Sequence, residues 1–312
     1  MAAKTNTTTS AQITVKAREI DFVTRFAKQW TILMQLLSIM RAIRKTPGTK
    51  LASLMAKVDG DVQGGATVAE GDVIPLTKMK VEPVDYQDIT IEKYAKAVTI
   101  ETVAKYGAEI GVQKTDEAFL HALQTIVMNN FINYLKTGKL VGKQKTWQRC
   151  LAIAKGAVLE RFQAMNLEVT EVVGFANTMD LYDWLGDREI TIQSQFGLQY
   201  IKDFMGYRTL FLLPGTVIPA GTVIATPVEN LDLYYIDPGD SEFTAMGLDY
   251  TVTGDTNLIG VHMDGNYERA QGETYALMGM VLWAEYLDGI AVVTKGNDEK
   301  MPAVAEPAEE GT

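Results

Sequence analysis

The stretch from Gly279 to Thr294 constrains the fold more than any other part of the chain. A long apolar run ends at Ala284, an Asp-Gly pair follows at Asp288 and Gly289, and a β-branched run comes next. This pattern predicts a long strand, a turn and a returning strand. The polar stretch in front of it, Gly260 to Thr274, carries no catalytic or metal-binding motif. Returning strands of this kind suit a protein that interlocks with copies of itself.

The opening third reads as a helical arm. Apolar residues recur at three- and four-residue steps, which predicts a helix from Val15 to Arg44 that Thr46-Pro47-Gly48 ends. Its second half is apolar almost all round and therefore requires burial. Burial against a partner copy and burial in the chain's own core both explain the pattern.

Residues 49–98 have the pattern of a hairpin with long legs and a glycine-rich tip. Gly60 to Gly65 lacks the lysine of a phosphate-binding loop and reads as a turn. Pro75 and Pro83 are typical of edge strands. An arm of this kind has little core of its own, so we expect its partner on another subunit.

Two helices should follow the hairpin. The first covers Val98 to Ala108, and the second runs from Thr115, as N-cap, to Gly138. His121 lies beside the apolar stripe of the second helix and is interpreted as an ordinary helix residue. The stripe consists of Phe119, Leu123, Ile126, Val127, Phe131 and Tyr134.

The region from 146 to 290 alternates helix and strand signals, and the tail from Gly296 is acidic and predicted to be disordered. We predict helices from Trp147 to Phe162 and from Asn177, as cap, to Gly186. The predicted strands are 169–175, 209–213, 222–226, 231–236, 243–253 and 258–263.

Composition excludes several classes of protein. The 312 residues are 47% hydrophobic with a net charge of −10, and a tight nucleic-acid binder normally presents a basic face. The single cysteine, Cys150, excludes an internal disulfide, is predicted to be a buried thiol and fits a reducing cytosol. Residues 2–12 lack the apolar core of a signal peptide, and the apolar stretch Trp30 to Ile43 is too short to span a bilayer.

No set of residues forms a recognisable active site, so we predict no catalytic, cofactor-binding or metal-binding residues. His262, like His121, lies in no motif. The carboxylates of Asp237 to Asp240 and of Asp249 to Asp255 are compatible with a Ca²⁺ or Mg²⁺ site, but solvated turns are favoured. Glu285 and Asp288 are interpreted as ion-pairing residues, and Leu233-Tyr234-Tyr235 as core. An α/β enzyme that uses residues 146–260 stays open as the competing class.

The chain resembles the major capsid proteins of tailed bacteriophages with the HK97 fold. The residues that carry the resemblance are Val68 to Leu76, Ala97 to Gly107, Glu273 to Gly279 and Glu285 to Gly289, in that order. The resemblance implies an α+β fold. It divides the chain into an N-arm (1–46), an E-loop (47–97), a P-domain with a spine helix (98–145), an A-domain (146–240), returning P-domain strands with a last A-domain strand (241–295) and an acidic flexible tail (296–312).

The resemblance also implies a function and partners. The chain would self-assemble into hexamers and pentamers, in an icosahedral shell built in the host cytoplasm around double-stranded DNA that it encloses without sequence-specific binding. A separate scaffolding protein, a portal protein and a decoration protein are the implied partners, and no membrane is involved. Some members join a lysine to an asparagine of a neighbour, for which Lys57, Lys78 or Lys80 with Asn257 or Asn266 are the candidates. An encapsulin-type compartment is an alternative with the same fold, and a tail-tube protein is a further one that would lack the spine helix.

Overall fold

The computed structural model describes residues 18–25, 40–59, 61, 63, 68, 73–186, 193–195, 198–252 and 258–304. In these ranges the helices are α1 (18–25), α2 (Ile100–Ala108), α3 (Thr115–Leu135), α4 (Trp147–Ala164), α5 (Thr178–Leu185) and α6 (Ser241–Ala245), with a π-helical segment at Glu109–Lys114. The strands are β1 (Met40–Lys45), β2 (Lys50–Val58), β3 (Met79–Asp88), β4 (Ile91–Thr99), β5 (Leu140–Gln144), β6 (Val172–Asn177), β7 (Gln193–Gln195), β8 (Leu198–Phe204), β9 (Tyr207–Leu213), β10 (Thr222–Pro227), β11 (Leu231–Ile236), β12 (Gly260–Asn266), β13 (Gln271–Ala284), β14 (Ala291–Lys295) and β15 (Lys300–Val304).

The strands form two large sheets and one separate ribbon. A five-stranded sheet contains β1, β11, β13 and β12, with β4 also paired to β13. An eight-stranded sheet has the order β15-β5-β14-β10-β6-β9-β8-β7. Strands β2 and β3 pair only with each other among the described strands, so they form a two-stranded hairpin that stands outside both sheets.

The eight-stranded sheet is covered on both faces. Along β6, Val173 and Phe175 point into one core while Val172 and Ala176 point into the other. The first core also contains α3 and the five-stranded sheet, and the second contains α4 and α5. Burial of both faces explains why the central strands are continuous apolar runs rather than alternating ones.

The long helix α3 has 21 residues, and its buried side faces the first core. Leu123, Val127 and Phe131 are buried as the stripe predicts, whereas Phe119 and Tyr134 are partly buried at the edge of that core. Ile126 is half-buried and His121 is exposed. After the helix ends, Gly138 passes so close to the neighbouring strand that a Cβ there would lie 2.6 Å from the Ile290 carbonyl oxygen.

The start of α3 corrects the sequence prediction. Thr115 is not an N-cap, because its hydroxyl donates backwards to the carbonyls of Gly111 (3.0 Å) and Val112 (2.8 Å). The π-helical segment joins α2 to α3, and the helical path continues through Gly111. The interruption lies at Gly107, whose φ of 80° is outside the helical region and favours glycine.

The predicted amino-terminal helix is also corrected. Residues 18–25 are helical, but Met40–Lys45 form β1, a strand parallel to β11. Phe22 and Val23, in the first half of the predicted helix, pack into the core of their own chain. The stretch 26–39, which holds most of the predicted apolar helix, lies outside the described residues.

Three further predictions near the end of the chain require correction. The predicted strand 243–253 is instead helix α6 followed by a single bridge at Thr251 to Val261. The predicted disorder from Gly296 is wrong for Lys300–Val304, because β15 pairs with β5. The predicted strand 169–175 starts later, at Val172.

Candidate assembly surfaces

The single cysteine and the two histidines, none of which lies in a catalytic motif, do not converge in the described part of the chain. Cys150 lies on α4, fully buried in the second core, and donates to the Gln144 carbonyl at 4.0 Å. Burial raises the pKa of this thiol to about 11, and the nearby Asp180 raises it further. His121 is exposed on α3, and the ring of His262 packs edge-on at 6.5 Å from that of Tyr250. Cys150 is therefore the buried thiol that the sequence predicts.

The carboxylates near residue 240 have structural roles. Asp237 accepts the amide N–H of Gly239 at 2.9 Å, and Asp240 caps α6 by accepting the amide N–H of Glu242 at 3.2 Å. Arg44 of β1 pairs with both, at 3.3 Å and 3.1 Å. The Glu242 amide and Arg44 lower the pKa of Asp240. No group of three or more possible metal-binding side chains occurs among the described residues, and Asp255 lies outside them.

The corner from Glu285 to Gly289 joins the two large sheets, since β13 ends at Ala284 and β14 begins at Ala291. The side chain of Asn230 holds this corner through two hydrogen bonds of 2.9 Å. Its Nδ2 donates to the Tyr286 carbonyl, and its Oδ1 accepts the Tyr286 N–H. The carboxylate of Asp288 accepts a hydrogen bond of 3.1 Å from Nε of Arg161, which lies on α4. Glu285 is exposed, and its carboxylate hydrogen-bonds the phenol of Tyr286.

The aromatic residues around the corner pack on different cores. Trp283 packs against Ile236 at the base of the hairpin, whereas the Tyr286 ring lies edge-on to Phe162 of α4 at 5.7 Å. Leu233 is buried in the first core and Tyr235 packs against that core, whereas Tyr234 packs against the cluster at the base of the hairpin. Their packing confirms the interpretation of this aromatic run as core.

The β2–β3 hairpin is anchored only at its base in the described part of the chain. Leu51 and Ile89 are buried there with Ile236 and Trp283. From this base the strands run nine residue pairs outward to Val58 and Met79. Lys78 pairs with Asp59 at the far end. Gln63 and Thr77 are joined by a hydrogen bond of 3.0 Å.

The second leg of the hairpin exposes a row of apolar side chains. Val73 and Leu76 are each 93% exposed, and Ile74, Met79 and Val81 are also exposed. An extended segment with several bare aliphatic side chains marks an interaction surface. We call residues 73–81 the apolar leg. Most of Gly60 to Gly65 lies outside the described residues.

The candidate cross-linking residues are only partly described. Lys78 is ion-paired with Asp59, and Asn266 donates to Glu273 at 2.9 Å. Lys80 is exposed within the apolar leg. The side chain of Lys57 and the whole of Asn257 lie outside the described residues, so the cross-link stays a prediction.

A second open surface lies beside α2. No residue of this amphipathic helix is buried, and Ile100, Tyr106 and the adjoining Ile110 are exposed. A cleft of about 680 Å³ separates α2 from the turn between β12 and β13, where Tyr267 is 97% exposed. Among the described helices, none is both long and apolar enough to cross a bilayer.

The chain is similar to known proteins in its structure but not in its sequence. No family model matches the chain, and no curated protein matches its sequence. The capsid of the cyanophage P-SCSP1u superposes with a TM-score of 0.52 at 10% identity, over 83% of this chain and 87% of that one. The mature capsid of bacteriophage PhiM1 gives 0.52 at 9% identity, over 83% and 86%.

An encapsulin structure is similar to nearly the same degree. The holo-SrpI encapsulin complex from Synechococcus elongatus gives a TM-score of 0.50 at 12% identity, over 83% of this chain and 87% of that one. The matched proteins therefore include both phage capsids and an encapsulin. The chain has the α+β HK97-like fold of these capsid proteins.

Proposed function

We propose that this chain is a shell-forming protein, the major capsid protein of a tailed bacteriophage. Copies would join as hexamers and pentamers in an icosahedral virion shell that encloses double-stranded DNA. Support comes from the HK97-like fold and from the β2–β3 hairpin that stands outside both sheets, which would be the E-loop. Residues 1–46 would then be the N-arm, with 98–145 and the returning strands forming the P-domain and 146–240 the A-domain.

The apolar leg of the hairpin is the observation that carries this proposal. Covering one exposed Leu or Val side chain contributes roughly 1.5–3 kcal/mol, and this leg exposes several. No other described segment of the chain covers them, so a second copy is the natural partner. A monomeric enzyme has no use for such a leg.

The acidic balance also supports enclosure of DNA rather than tight binding to it. A net charge of −10 disfavours phosphate contacts, and a genome that must leave the shell should not be held tightly. A scaffolding protein and a portal protein are the partners that this function would require, and a decoration protein could bind the finished shell.

An encapsulin-like compartment is the second candidate, since an encapsulin has the same fold at similar likeness. The two functions differ in what the shell contains. Particles purified from the native source would contain nuclease-resistant DNA in the first case and a packaged protein in the second.

The test of shell formation is negative-stain microscopy and sedimentation of the purified full chain, alone and with a co-expressed scaffold. We expect closed shells, and expect the Val73→Ser/Leu76→Ser double variant to stay folded but give only small species. The Val73→Ile/Leu76→Met variant is the control, because it changes the same positions and keeps them apolar. A compact monomer under every condition, or equal assembly of both variants, would count against the proposal.

A further inference from the structure

Aspartate is followed by glycine at Asp59, Asp264 and Asp288. In such a pair the backbone nitrogen of the glycine can attack the side-chain carboxyl carbon of the aspartate, because glycine has no Cβ to hinder the approach. Gly60 lies outside the described residues, so the structure compares the other two pairs. They differ in the direction of the glycine N–H, in the space around the glycine and in the partner of the carboxylate.

The pair Asp264–Gly265 lies on the outer edge of β12. On this strand the N–H of Met263 points away from β13 and donates to Glu19 Oε1 at 2.7 Å. Because N–H directions alternate along an antiparallel strand, the N–H of Gly265 points to the same side. It donates to Oδ1 of Asp264 at 2.7 Å. The attacking nitrogen and the carboxylate are therefore already in contact.

The surroundings of this pair also favour the reaction. Asp264 and Gly265 are both exposed, and a Cβ on Gly265 would meet no atom within 4 Å. Asp264 lies directly opposite Glu273 of β13, and like charges in this position repel each other. Ring closure converts the Asp264 carboxylate to a neutral imide, so it removes this repulsion.

The pair Asp288–Gly289 is held in place by its contacts. The Asp288 carboxylate accepts a hydrogen bond from Arg161 Nε at 3.1 Å, and the Gly289 N–H donates to the Tyr286 carbonyl at 3.1 Å. Gly289 is buried, and a Cβ there would collide with the ring of Phe162. The nitrogen of Gly289 can reach the carboxyl carbon only if these contacts break.

We propose that Asp264–Gly265 is a site of spontaneous isoaspartate formation in the folded chain, and that the fold protects Asp288–Gly289 from the same reaction. The Gly265 nitrogen forms a bond to Cγ of Asp264. One carboxyl oxygen, the amide proton and a proton from solvent leave as water, and a cyclic imide remains. Water then adds to the backbone carbonyl carbon of Asp264 and breaks its bond to nitrogen, so that the main chain continues through Cγ.

The product changes the turn between β12 and β13. The main chain gains one carbon atom at residue 264, whereas the side chain loses one. Asn266, which pairs with Gln271 across the ladder and donates to Glu273 at 2.9 Å, is then displaced from both partners. The exposed Tyr267 at the turn moves with it. The inference does not depend on whether the chain forms a shell.

Peptide mapping of the full-length chain after several weeks at neutral pH tests the proposal. Isoaspartate is located by electron-transfer fragmentation and by methylation with an isoaspartyl methyltransferase. In the folded chain we expect at least tenfold more isoaspartate at residue 264 than at residue 288. In the urea-unfolded chain the two sites should agree within about twofold, since both are Asp-Gly. Equal amounts at both sites in the folded chain, or none at residue 264, would overturn the proposal.

Gly265→Ala and Gly272→Ala form a matched pair of variants. The two glycines face each other across the ladder, and a Cβ at either position would meet no atom within 4 Å, so both variants should fold. Gly265→Ala should lower isoaspartate at residue 264 at least tenfold, because the methyl group hinders the attacking nitrogen. Gly272→Ala should change it less than twofold. An unchanged rate in Gly265→Ala, or the same decrease in both variants, would contradict attack by the Gly265 nitrogen.

Discussion

At the scale of single residues, Cys150 gives the most direct check on the packing of α4. Its pKa of about 11 lies about two units above that of a free thiol, so at pH 8 the reactive thiolate should be roughly 100-fold scarcer than in the unfolded chain. We expect a thiol reagent to label the native protein at least 100-fold more slowly than the protein in guanidinium. Comparable rates would mean that α4 does not bury this face.

The raised pKa of Cys150 also makes the free energy of unfolding depend on pH. A raised pKa means that the folded state keeps the thiol proton while the unfolded state releases it, so stability falls as pH rises from about 9 towards 11. The loss between pH 8 and pH 10.5, measured by urea unfolding, should be smaller in Cys150→Ala.

The corner offers a matched pair of carboxylates. Asp288, with a side chain 15% exposed, is ion-paired with Arg161, whereas Glu285 is exposed. Asp288→Asn should lower the free energy of unfolding by about 1 kcal/mol, and Glu285→Gln by less than about 0.5 kcal/mol. Denaturant melts measure both. A hydrolytic or transfer activity that Glu285→Gln abolishes would instead support the competing interpretation, in which the chain is an enzyme.

At the scale of elements, an alanine substitution on α3 should lower the free energy of unfolding more when the replaced side chain is more deeply buried. Leu123 is 1% exposed, so Leu123→Ala should cost about 2–5 kcal/mol in denaturant melts. The half-buried Ile126 lies one turn further along, and Ile126→Ala should cost less than half as much. If the two substitutions lowered the free energy of unfolding equally, the assignment of the buried face of α3 would be wrong.

The sequence predicts those elements whose residues carry a local signal. Asn177 caps α5 through its bond to the Met179 N–H at 2.8 Å, and Gly186 ends that helix, as predicted. The arm between Met40 and Lys45 was missed, because its apolar spacing continues a helical pattern. It becomes a strand where β11 offers an open edge, which is a tertiary effect.

The same limit applies to the candidate surfaces. The hairpin could be predicted from its glycines and alternating legs, and the corner from its Asp-Gly pair. The sharing of Asp116 between Arg18 and Lys96 could not, since the three residues lie on α1, β4 and α3, far apart in the sequence. The strand Lys300–Val304 was hidden by an acidic, proline-containing composition that is typical of disorder, yet it finds the edge of β5.

At the scale of the whole molecule, the charge balance predicts weak contact with nucleic acid. With a net charge of −10, the purified subunit should not retard duplex DNA in a mobility-shift assay at about 150 mM salt. Retention that weakens steeply with added salt would reveal a basic surface that the net charge conceals. Assembled shells, tested in parallel with external DNA, should behave in the same way.

The separate β2–β3 ribbon should also make the free subunit prone to aggregation. Neither outer edge of the ribbon pairs with another described strand, and open strand edges template unwanted pairing between chains. Aggregation from such edges depends on concentration, whereas in the proposed shell a neighbouring copy would bury the apolar leg. Assembly and misassociation would then compete in time, and the yield of soluble protein should fall with the interval between synthesis and assembly.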